Sequence, residues 1–191
     1  ADWEALLDKQ ERWQRLCRVA QSGDANDAEE LGYRGILFWK GHRGEIDPDR
    51  PKDNWSAADR DEGYLARIRV RLLEGKDQVI DSEALYFTTP ERTDESWEVR
   101  TYIRTRDGKT VGTWRETGGR ANQDMTIQVE QTGQPPRVIK PLIQGDGYLG
   151  AVEGLLLPRV MIRAGAQADF AFYTYRTQSE TISLRRDRLD K

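Results

Sequence analysis

One cysteine, one histidine and two methionines are spread through 191 residues. Cys17 alone cannot close an internal disulfide, and no Cys/His cluster is present to hold zinc. His42 is the only imidazole for a Ser-His-Asp or Cys-His site, and it stands in a glycine-flanked segment, Gly41-His42-Arg43-Gly44. No Walker loop, dinucleotide glycine motif or His-Glu metal helix occurs. The inventory therefore points away from an enzyme, with no catalytic residue, cofactor or metal site expected. No run reaches the 18 or so apolar residues of a membrane span; the most apolar stretch, 155–162, contains Pro158 and Arg159. Excess positive charge is also missing. The net charge is −3, from 30 basic and 33 acidic residues, which argues against a nucleic-acid partner.

The cysteine count does not decide the compartment, because scarce cysteine suits cytosolic and periplasmic proteins alike. No signal peptide is visible, and the chain begins at Ala1 rather than Met, so its absence weighs little. Charge is unevenly spread. Residues 1–62 hold 10 Lys/Arg against 15 Asp/Glu, and 63–191 hold 20 against 18. The shift marks a boundary near 62, between an N-terminal unit (1–62) packed on the main domain and an antiparallel β domain (63–191).

Most of what is present alternates. Residues 2–20 read as an amphipathic helix, with Trp3, Leu6, Leu7, Trp13, Leu16, Cys17 and Ala20 on one stripe and Cys17 buried as a free thiol. A strand over 33–41 and a long polar loop over 42–62 follow. From 63 onward the period is two. Strands are predicted over 64–72, 78–88, 96–106, 110–117, 124–131, 137–143, 168–177 and 180–189, with Asp107-Gly108 the strongest hairpin signal. Strands joined by short turns with no helix between them make an antiparallel meander. The apolar run 145–162 breaks the pattern. Asp146 caps a helix over 147–157 with Tyr148, Leu149, Val152, Leu155 and Leu156 on one stripe and Glu153 opposite, and Pro158 stops it before an extended 159–163.

Several clusters admit two readings. Arg67, Arg69 and Arg71 share one strand face and Arg100, Arg104 and Arg106 share another. Together they make a positive stripe for carboxylates, phosphates or anionic head groups, or a solvated face neutralised by Glu83, Glu98 and Glu116. Asp81 and Glu83 share a face as a carboxylate pair or as solvated charges. Trp39, Trp55, Trp97 and Trp114 are candidates for sugar stacking, although Trp97 shares a face with Val99 and Ile103, which reads as core.

A largely apolar helix inserted late in an antiparallel meander has one natural place to go, the concave face of the curved sheet. In this order of elements, residues 63–189 resemble the lipoprotein-carrier superfamily (LolA/LolB-like), a curved antiparallel sheet forming an incomplete barrel closed by helices. The resemblance implies a non-enzymatic protein of the periplasm or cell envelope, with a cytoplasmic setting still open. It also implies a lipid, lipoprotein acyl group or other hydrophobic ligand held between sheet and helix. The lining expected for such a ligand is Ile68, Val70, Val99, Ile103, Ile127, Leu149, Val152, Leu156, Phe170 and Phe172. The alternatives are a carbohydrate-binding or glycan-acting β-sandwich using exposed tryptophans, and a structural or interaction module.

Overall fold

The computed structural model describes residues 13–20, 29–143, 147–163, 168–177 and 179–189. Eight strands form one antiparallel sheet in sequence order: β1 Trp13–Ala20, β2 Glu30–His42, β3 Glu62–Glu74, β4 Gln78–Thr88, β5 Asp94–Thr105, β6 Thr110–Ala121, β7 Asp124–Gln131 and β8 Arg137–Ile139. The sheet is not closed, and β1 and β8 are its edges. The helix α1, Ala151–Arg163, follows; β9 Ala168–Arg176 and β10 Thr181–Leu189 then form a separate two-stranded sheet. The protein is thus mainly β, an open antiparallel meander with one α-helix among the described residues. Gly75 and Gly108 take positive φ in the β3–β4 and β5–β6 turns, conformations that are costly for any residue with a Cβ.

Register divides the sheet into two unlike faces. Cross-strand pairing aligns Phe38, Ala66, Tyr86, Trp97, Gly118, Ile127 and Ile139 in one row from β2 to β8. The adjacent row on that face runs Ile36, Ile68, Ala84, Val99, Glu116, Val129 and Arg137. This apolar face is capped by α1 and the β9–β10 hairpin. Val152 and Leu156 pack into Ile36, Phe38, Tyr64 and Ala66. Tyr175 and Ile182 pack against a second cluster built on Trp97, Val99, Met125 and Ile127, and Tyr86 touches both clusters. The segment before α1 is tied to the hairpin, since Leu149 N–H donates to Tyr173 O at 2.8 Å and Tyr173 N–H to Gly147 O at 2.9 Å.

The opposite face is polar, and the row Arg69, Glu83, Arg100, Arg115, Glu130 crosses it from β3 to β7. One end of this face is covered by residues 43–61. The sequence reads that stretch as a surface loop; it folds as three 3-10 turns, Arg43–Ile46, Lys52–Asn54 and Ala58–Arg60. Arg43 donates to Ser96 Oγ at 3.0 Å, and the Trp39 indole donates to Glu45 at 2.9 Å. Asp59 is buried, accepting from the Ser56 N–H and hydroxyl and from Arg50. Leu65 and Phe87 on this face are wholly buried.

Two expectations are corrected. Residues 13–20 form an edge strand and not part of an N-terminal helix; residues 2–12 lie outside the described set. Trp13 to Ala20 fit either period, and pairing with β2 along eight residues, from Trp13↔Phe38 to Ala20↔Glu30, decides for the strand. That ladder satisfies backbone groups that β2 would otherwise expose, which outweighs a weak helix propensity. Leu16 is consequently 70% exposed and Cys17 only half-buried. The later helix starts at Ala151 and not 147, and it runs through Pro158 to Arg163. A proline's fixed φ is helical; what it loses is one backbone hydrogen bond and some local fit, at a cost of about 3 kcal/mol. Burying a side chain such as Leu156 contributes roughly 1.5–3 kcal/mol, enough with Val152 to hold the helix. β2 and β3 pair from Gly32↔Leu72 to His42↔Glu62, so residues on both sides of the charge shift at 62 share one sheet.

Leu156 is almost fully buried between helix and sheet. Leu156→Ala should destabilise the fold by about 2–5 kcal/mol, read as a lowered midpoint in chemical denaturation with an unchanged slope.

Candidate functional site: a polar cavity beneath the cap

Glu95, Glu116 and Arg120 point to the covered face of the sheet, where the strand pattern otherwise places apolar residues. Register requires this: Glu116 lies between Val99 and Val129 in its row, and Glu95 pairs with Arg120, which pairs with Met125. Glu116 is 0% exposed, Glu95 5% and Arg120 8%. A bare charge in such surroundings would cost several kcal/mol, so the partners of each group matter.

The Glu95–Arg120 half is satisfied at both carboxylate oxygens and both terminal guanidinium nitrogens, with Arg120 Nε left without a partner. Arg120 Nη2 donates to Glu95 Oε1 at 2.6 Å and to Arg92 O at 2.7 Å, while Nη1 donates to Asn122 O at 2.7 Å. The guanidinium lies 5.0 Å from the Tyr148 ring centroid. Tyr148 and Glu153 come from the cap. The Tyr148 hydroxyl stands 3.5 Å from Glu95 Oε2. Glu153 accepts the Gly150 N–H at 2.9 Å, capping the start of α1, and faces Arg92 at 3.4 Å. Gly150 has no room for a side chain: a Cβ there would stand 2.0 Å from Glu95 Oε1. Burial raises the pKa of Glu95, against the opposing pull of Arg120, and burial likewise raises that of Glu153.

The Glu116 half is only partly satisfied. Trp97 Nε1 donates to Glu116 Oε1 at 2.7 Å, and the Thr177 hydroxyl lies 3.5 Å from the same oxygen. The Trp97 indole lies across Gly118, where a Cβ would stand 2.2 Å from the ring. Glu116 Oε2 and the Tyr175 hydroxyl are buried and have no hydrogen-bond partner. No Lys or Arg forms an ion pair with Glu116 among the described residues. Burial pushes its pKa up, with the Glu180 charge adding to the effect. Tyr86 is pushed up to about 12 by burial, and Tyr148 and Tyr175 are also raised, burial first and a nearby glutamate second. Between the two halves lies a cavity of about 50 Å³ walled by Tyr86, Trp97, Tyr148 and Tyr175, with Glu95 and Glu116 in its lining. No protein-family model, curated protein or solved structure matches the chain.

The arrangement can hold a hydrogen-bond donor or a positive charge. It presents no nucleophile with a base beside it. His42 stands beyond Gly41 at the end of β2, 5.8 Å in ring centroids from Trp55, and Cys17 is on edge strand β1. Among the described residues, no three His, Cys, Asp or Glu side chains gather as metal ligands.

The expected apolar lining is divided. Ile68, Val99 and Ile127 belong to one core cluster and Val152 and Leu156 to the other. Phe172 is buried beneath α1, with its ring 3.8 Å from a Cβ built on Gly154. Val70, Ile103 and Leu149 are half-buried, and the Phe170 side chain lies outside the described set. Sequence reasoning placed Glu116 among acids that neutralise strand arginines and Glu153 on an exposed helix face; both are buried on the capped side. Glu95, Arg120 and Tyr175 were not recognised as site residues. The signal available was parity, since Glu95 is in step with Trp97 and Val99, and Glu116 with Trp114.

The arginines do share the opposite face, but acids meet them. Arg71 and Arg104 hold Asp81, whose pKa is lowered chiefly by Arg71; Arg67 and Arg69 face Glu83; and Arg100 and Arg115 hold Glu98. Two open grooves of about 660 and 570 Å³ cross this face and share Arg100 and Tyr102. Trp39 lies on this side of the sheet by register and Trp97 and Trp114 on the other, so the tryptophans do not form one stacking platform.

Two outcomes follow from these environments. Arg120→Met leaves Glu95 buried without its cation and should destabilise by about 3–5 kcal/mol, measured by denaturant unfolding at neutral pH. The raised pKa of Glu116 means that its contribution to stability is fully present below the ordinary Glu value of about 4.3 and is lost as pH rises through the higher native value. Glu116→Gln removes that loss. Its melting temperature relative to wild type should therefore climb as pH rises above the ordinary Glu value and level off once pH has passed the raised native value.

Proposed function

We propose that this chain is a non-enzymatic binding protein of the bacterial cell envelope that holds a small polar ligand between its sheet and the α1/β9–β10 cap. The observation that carries the reading is Glu116 Oε2, a wholly buried carboxylate oxygen without a protein partner at the wall of a cavity. Buried polar atoms are nearly always satisfied, and an exception calls for an explanation. The envelope setting rests on the resemblance in element order. The place of binding agrees with that resemblance, but the ligand class is revised. Some 50 Å³ accommodates a small molecule or a head group, whereas drug-sized ligands occupy roughly 300–1,000 Å³. An acyl chain has no comparable volume in the described interior.

The Trp97 indole N–H, hydrogen-bonded to Glu116, is a built-in reporter. Its ¹H–¹⁵N resonance, assigned by loss in Trp97→Phe, should shift saturably with at least one class in a panel of small amines, alcohols, amides and carboxylates. Ala151→Leu, which places extra methyl groups at the cavity wall, should weaken that response at least tenfold. An indole resonance unmoved by every class at millimolar concentration would refute the reading.

A further inference from the structure

We infer that the ligand is the protonated head of a primary amine, a conclusion that rests on the binding reading above and names its chemical class. The first argument is charge. Of the two carboxylates in the cavity wall, Glu95 already has Arg120 at 2.6 Å. Glu116 has only neutral donors, the Trp97 indole and the Thr177 hydroxyl, and both reach the same oxygen. The carboxylate left without a cation is thus Glu116, and its unpartnered oxygen is Oε2.

The second argument is the wall. Four aromatic rings, Tyr86, Trp97, Tyr148 and Tyr175, enclose the space, with Trp97 and Tyr175 6.1 Å apart in ring centroids. Aromatic rings carry negative electrostatic potential on their faces and suit ammonium groups; Tyr148 already takes the Arg120 guanidinium in this way. An anion would meet two carboxylates in the same lining.

The third is hydrogen bonding. Two polar atoms of residues lining the cavity lack a partner, Glu116 Oε2 and Tyr175 Oη; the carboxylate oxygen accepts, and the phenol can accept as well as donate. A primary ammonium has three N–H donors to offer them. A quaternary ammonium has none and is also bulkier than the cavity favours. Glu180 adds negative potential at Glu116, although it is itself paired with Arg137, and Glu153, near Glu95, faces Arg92, so the acid left without a cation is Glu116.

The test is titration of the full chain with methylammonium chloride at constant ionic strength, following the Trp97 indole resonance. Sodium chloride, tetramethylammonium chloride, methanol, formamide and sodium acetate serve as matched probes. Methylammonium should give a saturable shift, with an apparent Kd at least tenfold weaker in Glu116→Gln and several-fold weaker in Tyr175→Phe. Tyr175→Phe keeps the ring and carries the comparison if Glu116→Gln fails to give a dispersed spectrum. A response to methanol, formamide or acetate with none to methylammonium overturns the amine assignment and leaves the binding reading standing. Equal responses to sodium and methylammonium also overturn it, in favour of an unselective cation site. Silence from every probe overturns both.

Discussion

The buried Glu95–Arg120 pair is the constraint on which the cap depends. At 2.6 Å it joins β5 to β6, strands already paired by their backbones, so strand registry is not its main effect. Its effect is on what can lie above it. The pair fixes a polar spot on an apolar face, and only a segment bringing matching polar groups can cover it without leaving charges unpaired. Residues 147–153 meet that demand. Tyr148 lays its ring beside the guanidinium and its hydroxyl near the carboxylate, Gly150 gives way to the carboxylate, and Glu153 turns back to cap its own helix while facing Arg92. Net stability gained from a buried ion pair is small once desolvation is counted. Its consequence here is positional: it sets where α1 begins.

With the start of α1 set, the rest of the capped side follows. Val152 and Leu156, one turn apart, reach the β2–β3 end of the sheet. The hairpin, tied to residues 147–149 by two backbone hydrogen bonds, covers the β5–β7 end through Tyr175 and Ile182. Tyr86 lies where the two clusters meet. The opposite face needs no cap over most of its area, because its arginines are met by nearby acids, Arg100 and Arg115 sharing Glu98. Exposed pairs of this kind contribute little stability each, about 0–1 kcal/mol. They keep a broad sheet face soluble and discourage stacking against another sheet.

Strand positions were legible because period two and turn chemistry agree through most of the chain. β4 and β7 fall at the residues the alternation assigns, 78–88 and 124–131, and the Asp107-Gly108 turn links β5 and β6. Misreadings fall where one local pattern supports two structures. Trp13 to Ala20 fit a helix stripe as well as a strand, and only the presence of β2 alongside decides. Pro158 looks like a stop because proline usually is one, yet the packing that retains the helix comes from β2 and β3, more than 80 residues away in sequence. Glu116 and Glu153 were misassigned for a related reason: an acid in an alternating pattern is normally on the wet side. Glu153 meets Arg92 and the Glu95–Arg120 pair, and Glu116 meets Thr177 and Tyr175; neither set of contacts leaves a trace in local periodicity.

The two halves of the cavity then differ in a way that bears on function. Around Glu95, Arg120 engages one carboxylate oxygen and the Tyr148 hydroxyl the other. Around Glu116, both donors converge on one oxygen and the other has no partner. An apolar residue of similar size in the row between Val99 and Val129 would pack without desolvating a carboxylate, and such replacements are commonly neutral or stabilising. A glutamate there is therefore a local choice that opposes the global one, and departures of this kind concentrate at sites of function. The Glu95 cluster accounts for itself as the anchor of the cap. Glu116 anchors nothing comparable; burial, with no cation beside it, pushes its pKa up. A bound cation would supply the missing partner, so the energetic weakness of this position and the binding proposed for it have the same physical origin.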